Sequence, residues 1–133
     1  MNAWWKRAVV VGLAGLLLVG SGVVPPAGVA DAQSCRWSGR WETGVYGVLE
    51  MSQVRHLVIG AYSYSGHRGL MVGSLGDSSL NLRGEWAEDP AAAGQGAGLF
   101  EFEMSPDCNS FRGLYSYGDS LQAAGEWNAR RIR

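Results

Sequence analysis

The sequence of 133 residues predicts an all-β fold, a small antiparallel up-and-down barrel of about eight strands. After Cys35, apolar and polar residues alternate with a period of two and show no helical period. A Gly-x-aromatic tripeptide also recurs at residues 39–41, 60–62, 84–86, 113–115 and 125–127. Glycine inside a strand costs stability. Its repeated use on one face therefore indicates strands that coil tightly enough to close into a barrel. A two-sheet sandwich is the alternative.

Residues 1–32 have the pattern of a signal peptide that precedes one domain at residues 33–133. Lys6-Arg7 comes before an apolar run over residues 8–24, and Ala30 and Ala32 place small residues where a signal peptidase cleaves. The run is shorter than the roughly 20 apolar residues that a spanning helix needs, which favours cleavage over an uncleaved anchor. We therefore expect an exported protein, extracellular or in the periplasm or cell envelope, with no stable membrane span after cleavage.

Eight strands follow one another along this domain, joined by polar or glycine-bearing turns. Short connections between consecutive strands favour an antiparallel meander. The longest connection, residues 89–98, is mostly alanine and glycine and is expected to be a flexible loop. The predicted strands cover residues 36–43, 46–53, 56–64, 69–75, 79–88, 98–104, 111–117 and 123–131.

Alternation assigns an apolar and aromatic face to the barrel interior and a charged face to the exterior. The glycines of the recurring tripeptide lie on the inward face, where each leaves room for a neighbouring ring. The outward face is expected to carry Arg40, Glu42, Arg83, Glu85, Glu101, Glu103, Arg112 and Glu126.

The net charge, the two histidines and the two cysteines limit the kinds of function that the sequence supports. The formal net charge is −1 at pH 7 and the arginines are dispersed, which argues against a nucleic-acid-binding face. His56 and His67 lie apart from other metal ligands and are expected in solvated turns, so neither a metal nor a cofactor is expected. Cys35 and Cys108 are expected to form a disulfide in an oxidising compartment, worth roughly 3 to 4 kcal/mol of stability.

The inward aromatic residues are the candidate binding residues. Tyr64 and Tyr117 continue the inward parity to strand ends, nearest an open mouth, and Glu88 shares the parity of Trp86. An eight-stranded barrel is just wide enough to be packed solid or to hold one small ligand, and the inward glycines favour packing. If a ligand binds, the residues expected to line its site are Trp41, Tyr62, Tyr64, Trp86, Tyr115, Tyr117 and Trp127.

The segments WSGRWETGVYGVLEMSQ, IGAYSY, LRGEWAE, LFEFEMSPDCNSFRGLY and GEWNARR resemble a group of exported bacterial β-proteins. Members of that group repeat Gly-x-Trp/Tyr along each strand, carry an Asp-Gly-x-Ser-Phe turn and end in Trp-x-Gly-x-Arg. In this chain Cys108 replaces the turn glycine and Ala129 the last glycine. The resemblance covers nearly all of the mature chain and implies a fold, since most of that group has no assigned activity.

A broader resemblance is to the calycins, which include lipocalins, avidins and fatty-acid-binding proteins. Their first strand carries Gly-x-Trp, as residues 39–41 do here, and an arginine of the last strand packs over a tryptophan. The resemblance implies that Arg131 closes the barrel against Trp37 or Trp41. Residues 42–44, Glu-Thr-Gly, lack the asparagine and serine that follow this tryptophan in avidins, which argues against biotin binding.

These patterns predict a binding protein without catalytic residues, whose partner is a small apolar molecule, a glycan or an envelope protein. The alternative is a structural or interaction module with a filled core that binds a protein or glycan through its outer surface. A small hydrolase or cyclase ranks last. The Gly-Asp-Ser sequences at 76–78 and 118–120 lack the strand-turn-helix context of a nucleophile elbow, although the sequence leaves a Ser-His-Asp triad formally open.

Overall fold

The computed structural model describes residues 34–133, and the predicted signal peptide lies outside them. Within these residues the chain forms nine strands and one turn of 3-10 helix, Gly44–Tyr46. None of the helical structure in this part of the chain is long and apolar enough to cross a membrane. The strands are β1 Gly39–Glu42, β2 Val48–Val54, β3 Leu57–Tyr64, β4 His67–Leu75, β5 Asn81–Asp89, β6 Ala97–Met104, β7 Ser110–Tyr115, β8 Gly125–Glu126 and β9 Ala129–Ile132.

The strands close into a barrel. Strands β1 to β7 pair consecutively, each antiparallel to the next, and β9 closes the ring by pairing with both β7 and β1. Eight strands thus form the ring, and the two-residue strand β8 pairs with β7 outside it. The closed ring confirms the predicted barrel and excludes the sandwich.

The last predicted strand, residues 123–131, is in fact two pieces separated by Trp127 and Asn128. The Trp127 N–H donates to the Gly113 carbonyl at 2.9 Å, and the Asn128 side-chain oxygen accepts from the Gly113 N–H at 3.1 Å. The pairing register along β7 is the same on both sides of this interruption, so no residue is inserted and the Trp127 ring keeps the inward parity.

The interior follows the predicted inward face and is filled mainly by aromatic rings. Trp37, Trp41 and Phe102 are completely buried. Phe102 stacks on Phe111 with 4.4 Å between ring centroids, and Trp37 lies 5.7 Å from the same Phe111 ring. Half of the interior is therefore packed solid, as the barrel geometry favours.

Some glycines on the inward face make room for a ring of the neighbouring strand, whereas others, such as Gly60 beside Met71, lie against a non-aromatic side chain. Gly69 pairs with Tyr62 across β3 and β4. A Cβ at Gly69 would lie 2.1 Å from Tyr62 Cζ, so the Tyr62 ring covers this glycine. The curvature of the sheet and the position of Tyr62 therefore both depend on Gly69.

One end of the barrel is closed by a covalent and a polar link. The predicted disulfide joins Cys35 to Cys108. The Arg131 guanidinium lies 4.1 Å above the Trp41 ring centroid, which confirms a cation–π contact at the seam and places it on Trp41. Arg131 also donates to the carbonyls of Cys108, Ser38 and Arg36 at 2.9, 2.9 and 2.6 Å. We call this end the closed end.

The outer surface is charged along part of the barrel and apolar along the rest. Cross-strand ion pairs join Arg40 to Glu50, Arg83 to Glu101 and Arg112 to Glu103, with N···O distances of 3.1 to 3.5 Å. The prediction of a charged exterior omitted the outward face of β3 and β4. That face exposes Leu57, Ile59, Leu70 and Val72, which we call the outer apolar patch.

Candidate functional site

The end of the barrel opposite the closed end contains a cavity of about 200 Å³. In an up-and-down barrel every second connection lies at the same end. This end, which we call the mouth, therefore gathers the connections at residues 43–47, 65–66, 90–96 and 116–124. The mouth is the part of the barrel interior that the core does not fill.

All five tyrosines of the chain line this one cavity. Their rings meet at steep angles, as the walls of a box do: Tyr46 makes interplanar angles of 83° with Tyr64 and 89° with Tyr115. Two tryptophans complete the aromatic wall, and Trp86 stands at 88° to Tyr115. The seven aromatic side chains are Tyr46, Tyr62, Tyr64, Trp86, Tyr115, Tyr117 and Trp127.

Most of these rings reach the mouth because they belong to inward-facing residues near the ends of strands. Tyr62 and Tyr64 are inward residues at the end of β3, and Trp86 and Glu88 hold the same position on β5. Tyr46 arrives differently, in the 3-10 turn that follows β1.

That turn ends at Gly47, whose φ is 71°, and a Cβ there would lie 2.4 Å from the Ser63 carbonyl oxygen. Because only glycine fits this approach to β3, Gly47 allows the turn to fold Tyr46 over the mouth.

Hydrogen bonds fix the tyrosine hydroxyls. The Tyr64 hydroxyl donates to Glu88 Oε1 at 2.5 Å and lies 3.3 Å from Oε2. The hydroxyls of Tyr46 and Tyr115 are 2.8 Å apart and bond each other. His67 stacks on the Tyr64 ring at 5.2 Å between centroids, and its Nδ1 bonds the Pro90 carbonyl. The cavity wall is therefore held in one arrangement before any ligand arrives.

The electrostatic environment keeps the phenols protonated. Burial, reinforced by the negative charge of Glu88, raises the pKa of Tyr62 well above its ordinary value. Burial and the hydrogen bond to Glu88 raise the pKa of Tyr64 in the same direction. Burial also raises the pKa of Tyr115 and Tyr117, with a smaller contribution from Glu88 to each. At neutral pH these side chains offer hydroxyl groups and neutral rings to an occupant.

Two buried polar atoms in or beside the cavity wall lack a hydrogen-bond partner among residues 34–133. They are Nε1 of Trp127, which lines the cavity, and Oγ of Ser116, whose carbonyl accepts from the Trp86 indole at 3.2 Å. A buried N–H donor without an acceptor costs stability.

The long connection of residues 90–96 forms one side of the mouth. The Glu88 N–H donates to the Gly96 carbonyl at 2.7 Å and the Gln95 N–H to the Ala92 carbonyl at 2.9 Å. Ala91, Ala92 and Gln95 line the cavity. The predicted flexible loop of small residues is thus a hydrogen-bonded turn whose alanines leave space above the rings.

Six of the seven predicted lining residues lie in this cavity, and Trp41 does not: it is fully buried near the closed end, under Arg131. Glu88 lies at the mouth, as its parity with Trp86 indicated. The sequence reasoning missed Tyr46, which it placed in a strand, and His67, which it placed in a solvated turn. A signal for His67 was available, since it is three residues from Tyr64 across a tight turn.

The serines of the two Gly-Asp-Ser sequences take part in local turns. The Ser78 hydroxyl accepts from the Leu80 N–H and the Ser120 hydroxyl from the Gln122 N–H, so both serines close local turns. Residues 34–133 contain no group of three or more His, Cys, Asp or Glu side chains placed to hold a metal ion. What the mouth offers chemically is a small aromatic box with one carboxylate, one imidazole and several hydroxyl groups.

Comparison with known proteins identified no similar family: no protein-family model matches the chain, nor does any curated protein or any solved structure.

Proposed function

We propose that the protein is an exported, non-enzymatic binding protein that holds one small molecule in the mouth of its barrel. The observation that carries the proposal is the convergence of all five tyrosines of the chain, with two tryptophans, on one cavity. The closed half of the barrel is packed instead with tryptophan, phenylalanine and aliphatic side chains, so the tyrosines are concentrated at the mouth. Rings that combine an apolar body with a hydroxyl suit a ligand site that is partly apolar and partly polar.

The size of the cavity limits the ligand. An apolar cavity of about 150 Å³ in another protein holds one benzene molecule, so about 200 Å³ suits a compound of roughly ten non-hydrogen atoms or fewer. A long fatty acid would not fit inside. The site supports a compact ligand, or the compact end group of a larger one.

Two features support export. The sequence pattern of residues 1–32 is that of a signal peptide. The disulfide between Cys35 and Cys108 is of the kind that forms in an oxidising compartment. The resemblance to exported Gly-x-Trp/Tyr proteins and to calycins points the same way and rests on the sequence motifs alone.

Tryptophan fluorescence tests the proposal, because Trp86 and Trp127 line the cavity. The purified, oxidised protein would be titrated with compact probes of different chemistry: indole, glycerol, butyrate and choline. We expect saturable quenching by at least one probe, lost in Tyr117→Ala and kept in the control Leu121→Ala, an exposed residue of the same connection. If none of the probes perturbs the fluorescence or binds by calorimetry, the proposal is wrong.

The outer apolar patch favours a second function, binding of a protein partner through the barrel exterior. Exposed apolar residues that form a contiguous patch often mark interaction sites. Ile59 and Val72 are paired across β3 and β4 and are each about half exposed. The double variant Ile59→Thr, Val72→Thr keeps the β-branched shape. It should abolish binding to cell-envelope fractions if this function is correct and leave small-molecule binding at the mouth unchanged.

A further inference from the structure

We propose that the mouth cavity selects a small organic cation, a quaternary or protonated amine, over neutral and anionic molecules of the same shape. This inference rests on the proposed function, because it specifies the ligand of the same cavity. It is carried by the juxtaposition of one carboxylate without a cationic partner and seven aromatic rings around a cavity of about 200 Å³.

Glu88 provides the negative charge. Its side chain is half-buried at the mouth, and its partner among residues 34–133 is the neutral Tyr64 hydroxyl. No ion pair to Glu88 is formed within the same residues, whereas Glu50, Glu101 and Glu103 on the outer surface each pair with an arginine. A partly buried charge without an opposite charge costs free energy that a bound cation would recover.

Among residues 34–133, neither an arginine nor a lysine side chain lines this cavity. Arg68, next to the lining residue His67, is exposed on the outer face and stands opposite Asp89 across β4 and β5. The Nδ1 of His67 is taken by the Pro90 carbonyl. The position that would neutralise Glu88 is therefore open to a ligand.

The aromatic wall suits a cation for a separate reason. The face of an aromatic ring carries negative electrostatic potential and attracts a cation within about 6 Å of the ring centroid. Neighbouring centroids around the cavity are close together: 5.2 Å for Tyr46 and Tyr64, 5.8 Å for Tyr115 and Tyr117, and 5.9 Å for Trp86 and Tyr117. An occupant of so small a space lies within reach of several rings at once.

An anion would be repelled by the same groups that attract a cation. It would meet the Glu88 carboxylate and the same ring faces, and both repel negative charge. A neutral molecule of equal shape would gain the apolar contacts alone. Charge, at constant shape, is thus the property that separates the three classes of ligand.

The test compares choline with its neutral carbon analogue, in which a tert-butyl group replaces the trimethylammonium group. Binding to the oxidised protein would be measured by calorimetry and tryptophan fluorescence at low salt. We expect choline to bind at least tenfold more tightly than the analogue. Glu88→Gln, which can still accept from Tyr64, should remove most of this preference. The control Glu85→Gln, an exposed residue of the same strand, should not.

The outcomes distinguish the inference from the proposed function. If the analogue binds as tightly as choline, or if indole, glycerol or butyrate binds and choline does not, the cation inference is overturned while the binding function stands. If no probe binds, both are overturned. If Glu88→Gln does not fold by circular dichroism, the comparison of choline with its analogue on the unaltered protein decides alone.

Discussion

Arg131 is the residue whose replacement tests the closure of the barrel most directly. It lies on β9, the strand that completes the ring, and its guanidinium contacts Trp41 of β1 while it bonds three backbone carbonyls. The variant Arg131→Met keeps an unbranched side chain of similar length and removes the charge and every donor. The control is Arg130→Met, because Arg130 is the preceding residue of the same strand and is exposed.

The magnitude follows from the contacts. A desolvated cation–π contact is worth about 2 kcal/mol. Each of the three hydrogen bonds contributes about 1 kcal/mol, less than is usual for a charged donor, because the accepting carbonyls lie near the surface where water replaces the donor. These contributions are not additive, since one side chain makes all of them. We therefore expect Arg131→Met to lower the free energy of unfolding by about 3 kcal/mol and the melting temperature by about 12 to 24 °C.

Urea denaturation followed by tryptophan fluorescence measures this change, with the disulfide intact in all variants. Arg131→Lys restores the charge without the planar fork of donors, so it should recover part of the loss. A loss for Arg131→Met below about 1 kcal/mol, or no larger than that for Arg130→Met, would refute the account of closure, because water would then replace the arginine without cost.

Three further predictions concern the covalent link, the packing and the ionisation of the barrel. Replacing Cys35 and Cys108 by serine should cost about 4 kcal/mol, the loop-closure value for a separation of 73 residues, and a loss below about 1 kcal/mol in urea denaturation would contradict it. Gly69→Ala should destabilise the barrel by about 1 to 3 kcal/mol, because its Cβ would lie 2.1 Å from Tyr62 Cζ. Gly76→Ala, where the nearest atom is 3.9 Å away, should have a far smaller effect in the same assay, and equal effects would count against the packing argument. Because burial raises the folded-state pKa of Tyr62 above 10.0, the folded state holds this proton more tightly than the unfolded state. The contribution of this proton to the free energy of unfolding should be complete below about pH 10 and should decrease as the pH rises above that value. Unfolding curves measured between about pH 9 and pH 12, together with tyrosinate absorbance, test this prediction. A free energy of unfolding that does not change over this range would contradict it.

The fold could be predicted from the sequence because alternation and glycine spacing are local signals with a direct steric meaning. The inward parity of Trp37 and Phe102 identified two of the most deeply buried residues. The same parity placed Tyr62, Tyr64 and Trp86 together, since antiparallel neighbours bring inward residues of equal depth to one end.

Features that depend on contacts between distant segments could not be predicted in this way. The interruption at Trp127 requires the Asn128 side chain to replace a strand bond at Gly113, 15 residues away. Tyr46 reaches the cavity through a turn that breaks the period of two. The outer apolar patch was missed for another reason: alternation assigns a face to each residue, but it does not require the outward residues Ile59 and Val72 to be polar.

The position of β9 in the ring has a consequence for folding. Because β9 pairs with both β1 and β7, those two strands expose unpaired backbone groups until the last strand docks. Closure joins segments far apart in sequence, which makes it a slow step and prolongs the time in which another copy could pair with either edge. The strand that ends this interval is only four residues long and carries two arginines. Its shortness and charge make it a poor template for pairing between copies, which limits aggregation through the strand that completes the barrel.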